Sequence, residues 1–436
     1  MRRAAGLVLA VMAVVVVPSA PGRAAGTPSL TVAVRVTGTD LDPARTYGSP
    51  TVLVDPSNKL NLVAATVEMR TRVCRLFRSA DGGRTWALLD SLPGPKEYPF
   101  CFHTSGSVTE SPIAWGRDSR LYYALVGWDV GDGGTSNGNL SVIVARSDDL
   151  GDTWRSTVAR DTRGFKDSAV ETNRPVSGIA VDTTTGPDDI VYVAWRLNLA
   201  GKPARPAIAV STDGARTFGP PIDVAADFFA NPANITGTIP EDRKKPEHLA
   251  GFNPAATIDD KGRLYVLWER RTTGVTPAPQ FAYYVSRVTD QGRSITVHEV
   301  FPETPNLAGG VLTWSPEGGA DGTLHAVWHA KPGQTQGETD IYHRRSIDGG
   351  RTWGQPTKLN DDDPAALQSQ FNPNVSIAPD GRVDVAWWDF RNDQGTYSND
   401  VYYTYSTDNG LSWSRNVRIS DRSINRKIGP WSNNFD

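Results

Sequence analysis

Charged side chains recur at the ends of short apolar runs, and their types could do chemistry. Asp129, Arg196, Glu269 with Arg270, His329, and Asp389 with Arg391 each close such a run, while Glu110 and Arg174 stand at the openings of others. Arg174, Arg196, Arg270 and Arg391 carry planar guanidinium forks, which hold a carboxylate through two parallel hydrogen bonds. Glu269 and Asp389 are carboxyls of the kind that move protons as general acid and base, and His329 adds an imidazole that titrates near neutral pH. Gathered around one mouth, this set would suit an anionic sugar. Taken singly, each is equally a solvated group beside a buried ring, so the elements that carry them decide.

Those elements repeat. The stretch Ser79-x-Asp81-x-Gly83-x-Thr85-Trp86 returns as Ser147, Asp149, Gly151, Thr153, Trp154, as Ser346, Asp348, Gly350, Thr352, Trp353, and as Ser406, Asp408, Gly410, Ser412, Trp413. Two worn copies are Ser211, Asp213, Ala215, Thr217, Phe218 and Val288, Asp290, Gly292, Ser294, Ile295. Successive copies start 58 to 77 residues apart, a period that signals a repeat architecture. An Asp in this position accepts from backbone N–H groups a few residues on, and Gly tolerates positive φ, so the motif is a tight turn. A β-rich run precedes each copy and an aromatic anchor follows it, which makes the unit a β-hairpin. Asp81, Asp149, Asp213, Asp290, Asp348 and Asp408 are therefore read as turn architecture.

Each repeat also opens with a Pro-marked strand, at Pro50, Pro112, Pro175, Pro254, Pro316 and Pro373. A second strand follows, as in Leu121–Val126, Ile190–Trp195, Leu264–Trp268, Leu324–Trp328 and Val383–Trp388. Four short antiparallel strands in each of six repeats predict an all-β, six-bladed β-propeller. The Asp turns mark one face of it and the charged strand ends the other. Leu30–Val36 alternates as a strand, the kind that completes a last blade, although residues 416–420 already supply the sixth repeat with a fourth strand. Lys427–Asp436 resembles the lead-in to another repeat, so a truncated seventh blade is the rival reading. The expected organisation is a signal peptide over 1–25, a lead-in over 26–44, the propeller over 45–421 and a tail over 422–436. Long irregular segments at 128–139, 224–251 and 392–400 are expected to carry function or disorder, and Asp361-Asp362-Asp363 is expected to be simply solvated.

Residues 1–25 have the form of a secretory signal, with Arg2 and Arg3 ahead of the apolar run Ala4–Val17 and small residues at Ala20, Ala24 and Ala25. That run is too short to span a bilayer comfortably, so the mature chain is expected outside the cell without a membrane span. The net charge of −3 and the absence of a basic face argue against nucleic acid. Cys74 and Cys101 are the only cysteines; an exported protein would pair them as one disulfide, worth about 3 kcal/mol in the chain-entropy model. No metal site and no cofactor are expected.

The repeated turn resembles the Asp-box, or bacterial neuraminidase repeat, of the sialidase-like propeller superfamily, and the resemblance runs from about residue 45 to 421. It implies that the Asp-boxes lie away from the active face. It also implies three arginines for a substrate carboxylate, a Tyr nucleophile paired with a Glu, and an acid/base Asp. The family's first arginine stands in an Arg-Ile-Pro motif opening blade one, where this chain reads Gly48-Ser49-Pro50. Arg174 next to Pro175 occupies a comparable place in blade three, Glu269 could be the partner glutamate, and Arg270 or Arg391 could complete an arginine set. Three readings follow: a glycan- or protein-binding propeller without sialidase catalysis, an exo-α-sialidase using Glu269 and Asp389, and a structural or adhesive module of a larger surface protein. The first is preferred because the opening arginine is replaced by Ser49. The partners implied are a glycan or a cell-surface protein.

Overall fold

The computed structural model describes residues 12–13, 28, 34–39, 47–68, 73–91, 93–94, 100–101, 112–128, 140–161, 171–199, 202–235, 240–272, 280–304, 314–330, 339–363, 368–393 and 397–425. Six antiparallel blades, each built on four strand positions and two of them with one extra short strand, follow one another along the chain, in the propeller arrangement that the repeat predicts. Blade 1 is built from Tyr47–Val54, Leu62–Glu68, Val73–Ser79 and Ala87–Leu88. In blade 2 both Phe100–Cys101 and Ile113–Trp115 pair with Leu121–Trp128, which leads to Leu140–Ser147 and Arg155–Arg160. Blade 3 comprises Glu171–Asp182, Ile190–Leu199, Arg205–Ser211 and Ile222–Asp223. Blade 4 comprises Leu249–Ile258, Leu264–Thr272, Gln280–Thr289 and Ser294–Thr304. Blade 5 runs through Trp314–Gly318, Leu324–Ala330, Asp340–Ser346 and Thr357–Lys358. Blade 6 runs through Gln370–Ile377, Val383–Asp389, Ser398–Ser406 and Val417–Arg418, with Ile424–Asn425 pairing the start of its third strand.

The second strands explain why the apolar runs are nearly continuous. Alternate residues of a strand point to opposite faces, and here both faces are covered. Ile190, Tyr192 and Ala194 pack with Leu264, Val266 and Trp268 of the next blade. The intervening Val191, Val193 and Trp195 pack with Tyr122, Ala124, Val142 and Val144 of the previous one. The same division recurs between blades 1 and 2, 4 and 5, and 5 and 6. Of the expected strand Leu30–Val36 only residues 34–36 are described, and Val36 packs on blade 1. It is fully buried against Leu62, Ala64, Phe77 and Trp86 of blade 1, just after a two-residue strand Val34–Arg35 that pairs with Met12–Ala13.

The recurring turn is a clamp. In the first copy the Ser79 hydroxyl donates to Asp81 Oδ1 (2.8 Å) and accepts from the Gly83 N–H (2.8 Å). Asp81 in turn accepts from the Thr85 N–H (2.9 Å) and the Thr85 hydroxyl (2.6 Å). The Trp86 indole N–H donates to the Gly83 carbonyl at 3.0 Å. The side-chain pattern returns at Asp149, Asp213, Asp348 and Asp408. The third and fourth residues after each Ser both have positive φ, for example +74° at Gly82 and +85° at Gly83, which is why at least one is normally Gly. Asp290 departs from the clamp. Val288 supplies no hydroxyl there, and the Asp290 carboxylate instead pairs with Arg293 across a 3₁₀ turn.

Cys74 is buried in the seam between blades 1 and 2; the side chain of Cys101 lies outside the described residues, as do Glu110, Asp129 and the tail from 426.

The hydrogen bonds from Ser412 and Ser406 pull the Asp408 carboxyl down to about 2, as those from Thr85 and Ser79 do for Asp81. A carboxyl depressed on folding contributes stability that is complete above its unfolded pKa near 4 and is lost as pH falls through the folded value. Asp408→Asn keeps an acceptor but not the charge. Its melting temperature should lie about 1–2 °C below wild type at pH 6, and that gap should at least halve at pH 2. A gap that persists undiminished at pH 2 would show that the charge does not stabilise the turn.

Candidate functional site

Antiparallel pairing places the last residues of each second strand beside the first residues of the third, at the opposite end of the blade from the Asp turn. In blade 4 this end is the richest. Glu269 stands opposite Phe252 on one side and Tyr283 on the other. The Glu269 carboxylate is almost fully buried and forms a close ion pair with Arg271, which shares its sheet face. Both Arg271 and Arg196 of blade 3 lie over the Phe252 ring, with guanidinium carbons 4.2 and 4.8 Å from its centroid. Each contact is a cation–π attraction. Tyr283 is buried beside the pair. Burial first, and then the negative charge of Glu269, push its hydroxyl well above the usual tyrosine range.

The arrangement is a braced pair of cations around one aromatic ring. Glu269 pairs closely with Arg271, and Arg271 and Arg196 both approach Phe252, so two guanidiniums, groups suited to an oxyanion, meet at one ring. Proton transfer is a different matter. A tyrosine attacks as a phenolate, and Tyr283 is 3% exposed, with its ionisation opposed by burial and then by the neighbouring carboxylate.

Of the residues singled out from the sequence, the structure brings together Arg196 and Glu269. The backbone of Arg174 lies opposite Arg196 in the blade 3 ladder, with its side chain outside the described residues. Arg270 is fully buried on the other face of its strand and donates to the Thr272 hydroxyl at 2.6 Å. His329 is buried in blade 5, where desolvation pulls its imidazole down to about 4 and so keeps it neutral at physiological pH. Around Ser49, blade 1 has a break in register between Gly48 and Thr51.

Asp389 and Arg391 form a second cluster, two blades away. The Asp389 carboxylate accepts from the Trp387 indole (2.9 Å), the Arg391 backbone N–H (2.8 Å) and the Arg391 Nε (3.0 Å) and Nη2 (2.8 Å), with Gln370 at 3.4 Å. A carboxylate offers about four lone-pair directions, so this one is fully occupied. Arg391 also reaches Asp361 (2.7 Å) and Asn416 (3.0 Å) and lies over the Tyr402 ring. Asp362 accepts from Asn360 and Gln370. The acidic run therefore ties blade 5 to blade 6 rather than standing free in solvent.

Sequence reasoning missed Arg271, Phe252 and Tyr283. The signal for Arg271 was present, because a period of two puts it, and not Arg270, on the face of Glu269. Phe252 and Tyr283 depend on cross-strand register, which the sequence does not display.

No family model matches the chain, and no curated protein matches it. Among solved structures it is similar to a xyloglucanase from Xanthomonas campestris, with 18% identity over 87% of this chain and 48% of that one and a TM-score of 0.48. It is similar to a Hadza microbial sialidase, with 14% identity over 84% and 67% and a TM-score of 0.45. It is also similar to an α-L-arabinanase from Penicillium chrysogenum, with 15% identity over 91% and 98% and a TM-score of 0.46. The chain thus spans about half the length of the xyloglucanase. Identities this low leave the chemistry to be argued from the residues themselves.

Removing one partner of a buried ion pair strands the other, so Glu269→Ala should cost roughly 3 kcal/mol in urea unfolding. The double variant Glu269→Gln with Arg271→Met should recover part of that loss. A single-variant cost below about 1 kcal/mol would mean that the pair does not organise the site.

Proposed function

We propose that the protein is an exported propeller that binds an acidic glycan on the face opposite the Asp turns, without cleaving it. The observation that carries this reading is the placement of Arg196 and Arg271 over Phe252, with Glu269 bracing Arg271. A sugar carboxylate would take hydrogen bonds from the two guanidiniums. The sialidase-like, Asp-box character of the repeated turn belongs to the same proposal, supported by the Ser–Asp clamp, closed by Thr or Ser, at five of its six copies. So do export and the Cys74–Cys101 disulfide, which the mass and N-terminus of the secreted chain would check together.

One observation favours the second reading, hydrolysis of a sialoside: Glu269 stands directly across the ladder from Tyr283. The burial of both side chains and the occupied lone pairs of Asp389 weigh against turnover. Glu269 is assigned as the positioning residue for Arg271, and Asp389 as the clamp on Arg391.

Titration with N-acetylneuraminic acid and its neutral counterpart N-acetylmannosamine, followed by protein-observed NMR, distinguishes these readings. The acid should bind and the neutral sugar should not perturb Phe252. Arg271→Lys, which keeps the charge but loses the fork, and Arg196→Ala should each weaken binding about tenfold. A fluorogenic sialoside should remain intact with the wild-type protein. Equal binding of the neutral sugar would overturn the proposal, and turnover abolished by Tyr283→Phe would replace it with the second reading.

A further inference from the structure

The segment after the fourth strand of blade 3 does more than connect. Val224 begins an insertion whose short helix Ala226–Ala230 places Phe228 and Phe229 against Trp268 and Tyr284 of blade 4. The insertion is fixed from beneath. The Trp268 indole donates to Ser286 Oγ (2.8 Å), and that hydroxyl donates to the Val224 carbonyl (2.8 Å). Arg205 reinforces the same corner by pairing with Asp223 and lying over the Phe229 ring.

This anchored insertion and the outer strand of blade 4 line an open cavity of about 690 Å³, a size usual for small-molecule sites. It lies on the flank between blades 3 and 4, and none of Arg196, Phe252, Glu269 or Arg271 lines it. Its apolar side is formed by Phe228, Ile295 and Val297. Its lining also includes Asp223, Asp227, Glu299, Arg293, Arg351 and Asn234, of which Asp223 pairs with Arg205 and Arg293 with Asp290. Burial, the largest influence on Asp223, raises its carboxyl above the ordinary range, and the charge of Asp227 acts in the same direction. Burial and the positive charge of Arg351 lower the His298 imidazole, so that ring is a neutral hydrogen-bonding group at physiological pH.

Three acidic and two basic side chains leave the cavity nearly balanced, which favours neither a simple anion nor a simple cation. Acceptors and donors are interleaved around an apolar wall. A neutral polyhydroxylated ring meets both requirements, because each hydroxyl donates and accepts while the C–H face stays apolar. We infer that this flank cavity is a second carbohydrate site, taking a short neutral oligosaccharide, and that it operates independently of the acidic-glycan site on the blade ends.

The test titrates the full chain with maltose, cellobiose and lactose by isothermal calorimetry and saturation-transfer NMR. At least one should bind, with contacts confined to the flank. Asp227→Ala, at an exposed position, should weaken that binding about tenfold. Val297→Trp should abolish it by filling the cavity, while leaving the response to N-acetylneuraminic acid unchanged. If Val297→Trp lowers the melting temperature, Arg293→Ala serves in its place with a loss of similar size expected. Failure of all three disaccharides at millimolar concentration would overturn the inference, as would binding that survives both Asp227→Ala and the cavity-filling change. Loss of acidic-glycan binding alone, with the neutral sugars still bound, would count only against the site at Phe252.

Discussion

Blades 2 to 5 bury both of their faces against neighbouring blades, and much of the molecule follows from that requirement. A second strand such as Ile190–Leu199 packs alternate side chains on two different neighbours, so its interior has no room for charge. Polar chemistry is pushed to the strand ends. At one end the chain turns back, and a Ser–Asp–Thr clamp satisfies the turn's own backbone. At the other end Arg196, Glu269 and Arg271 emerge from the apolar seam into a half-buried border where ion pairing and cation–π contact are both strong. The separation of scaffold from site is a consequence of strand direction.

The two acidic centres show how similar residues reach different roles. Asp389 is enclosed by donors from its own strand end and from Gln370, and it closes a network that reaches Asp361 and Asn416. Glu269 pairs closely with Arg271, whose side chain keeps about a third of its surface exposed. The first centre joins blades. The second presents a cation. Burial of Tyr283 and the fully occupied Asp389 both fit a surface that holds an anion rather than one that moves protons.

Much of the fold was legible because its signals are local. Six turns with paired positive-φ residues, a Pro-marked strand in each repeat and apolar second strands together specify the number and order of blades. The site was legible only in part. Arg196 and Glu269 could be found because they end apolar runs, but Arg270 was preferred over Arg271 even though alternation puts Arg270 on the opposite face. Phe252 sits beside a register break before Ala255, and Tyr283 follows a connection whose length alone does not set the pairing. The segment from 224 illustrates the same limit: it reads as an irregular loop, yet Phe228 and Phe229 turn it into a packed wall of a cavity. Partners distant in the chain, such as Asp361 and Arg391, carry no local mark of their meeting.

The central claim is that an acidic sugar is held by two guanidiniums at Phe252. A crystal structure of the protein soaked with N-acetylneuraminic acid tests it most directly. The account predicts density for the sugar carboxylate within hydrogen-bonding distance of both Arg196 and Arg271. Sugar density at another surface, with the Phe252 site empty at saturating ligand, would contradict it.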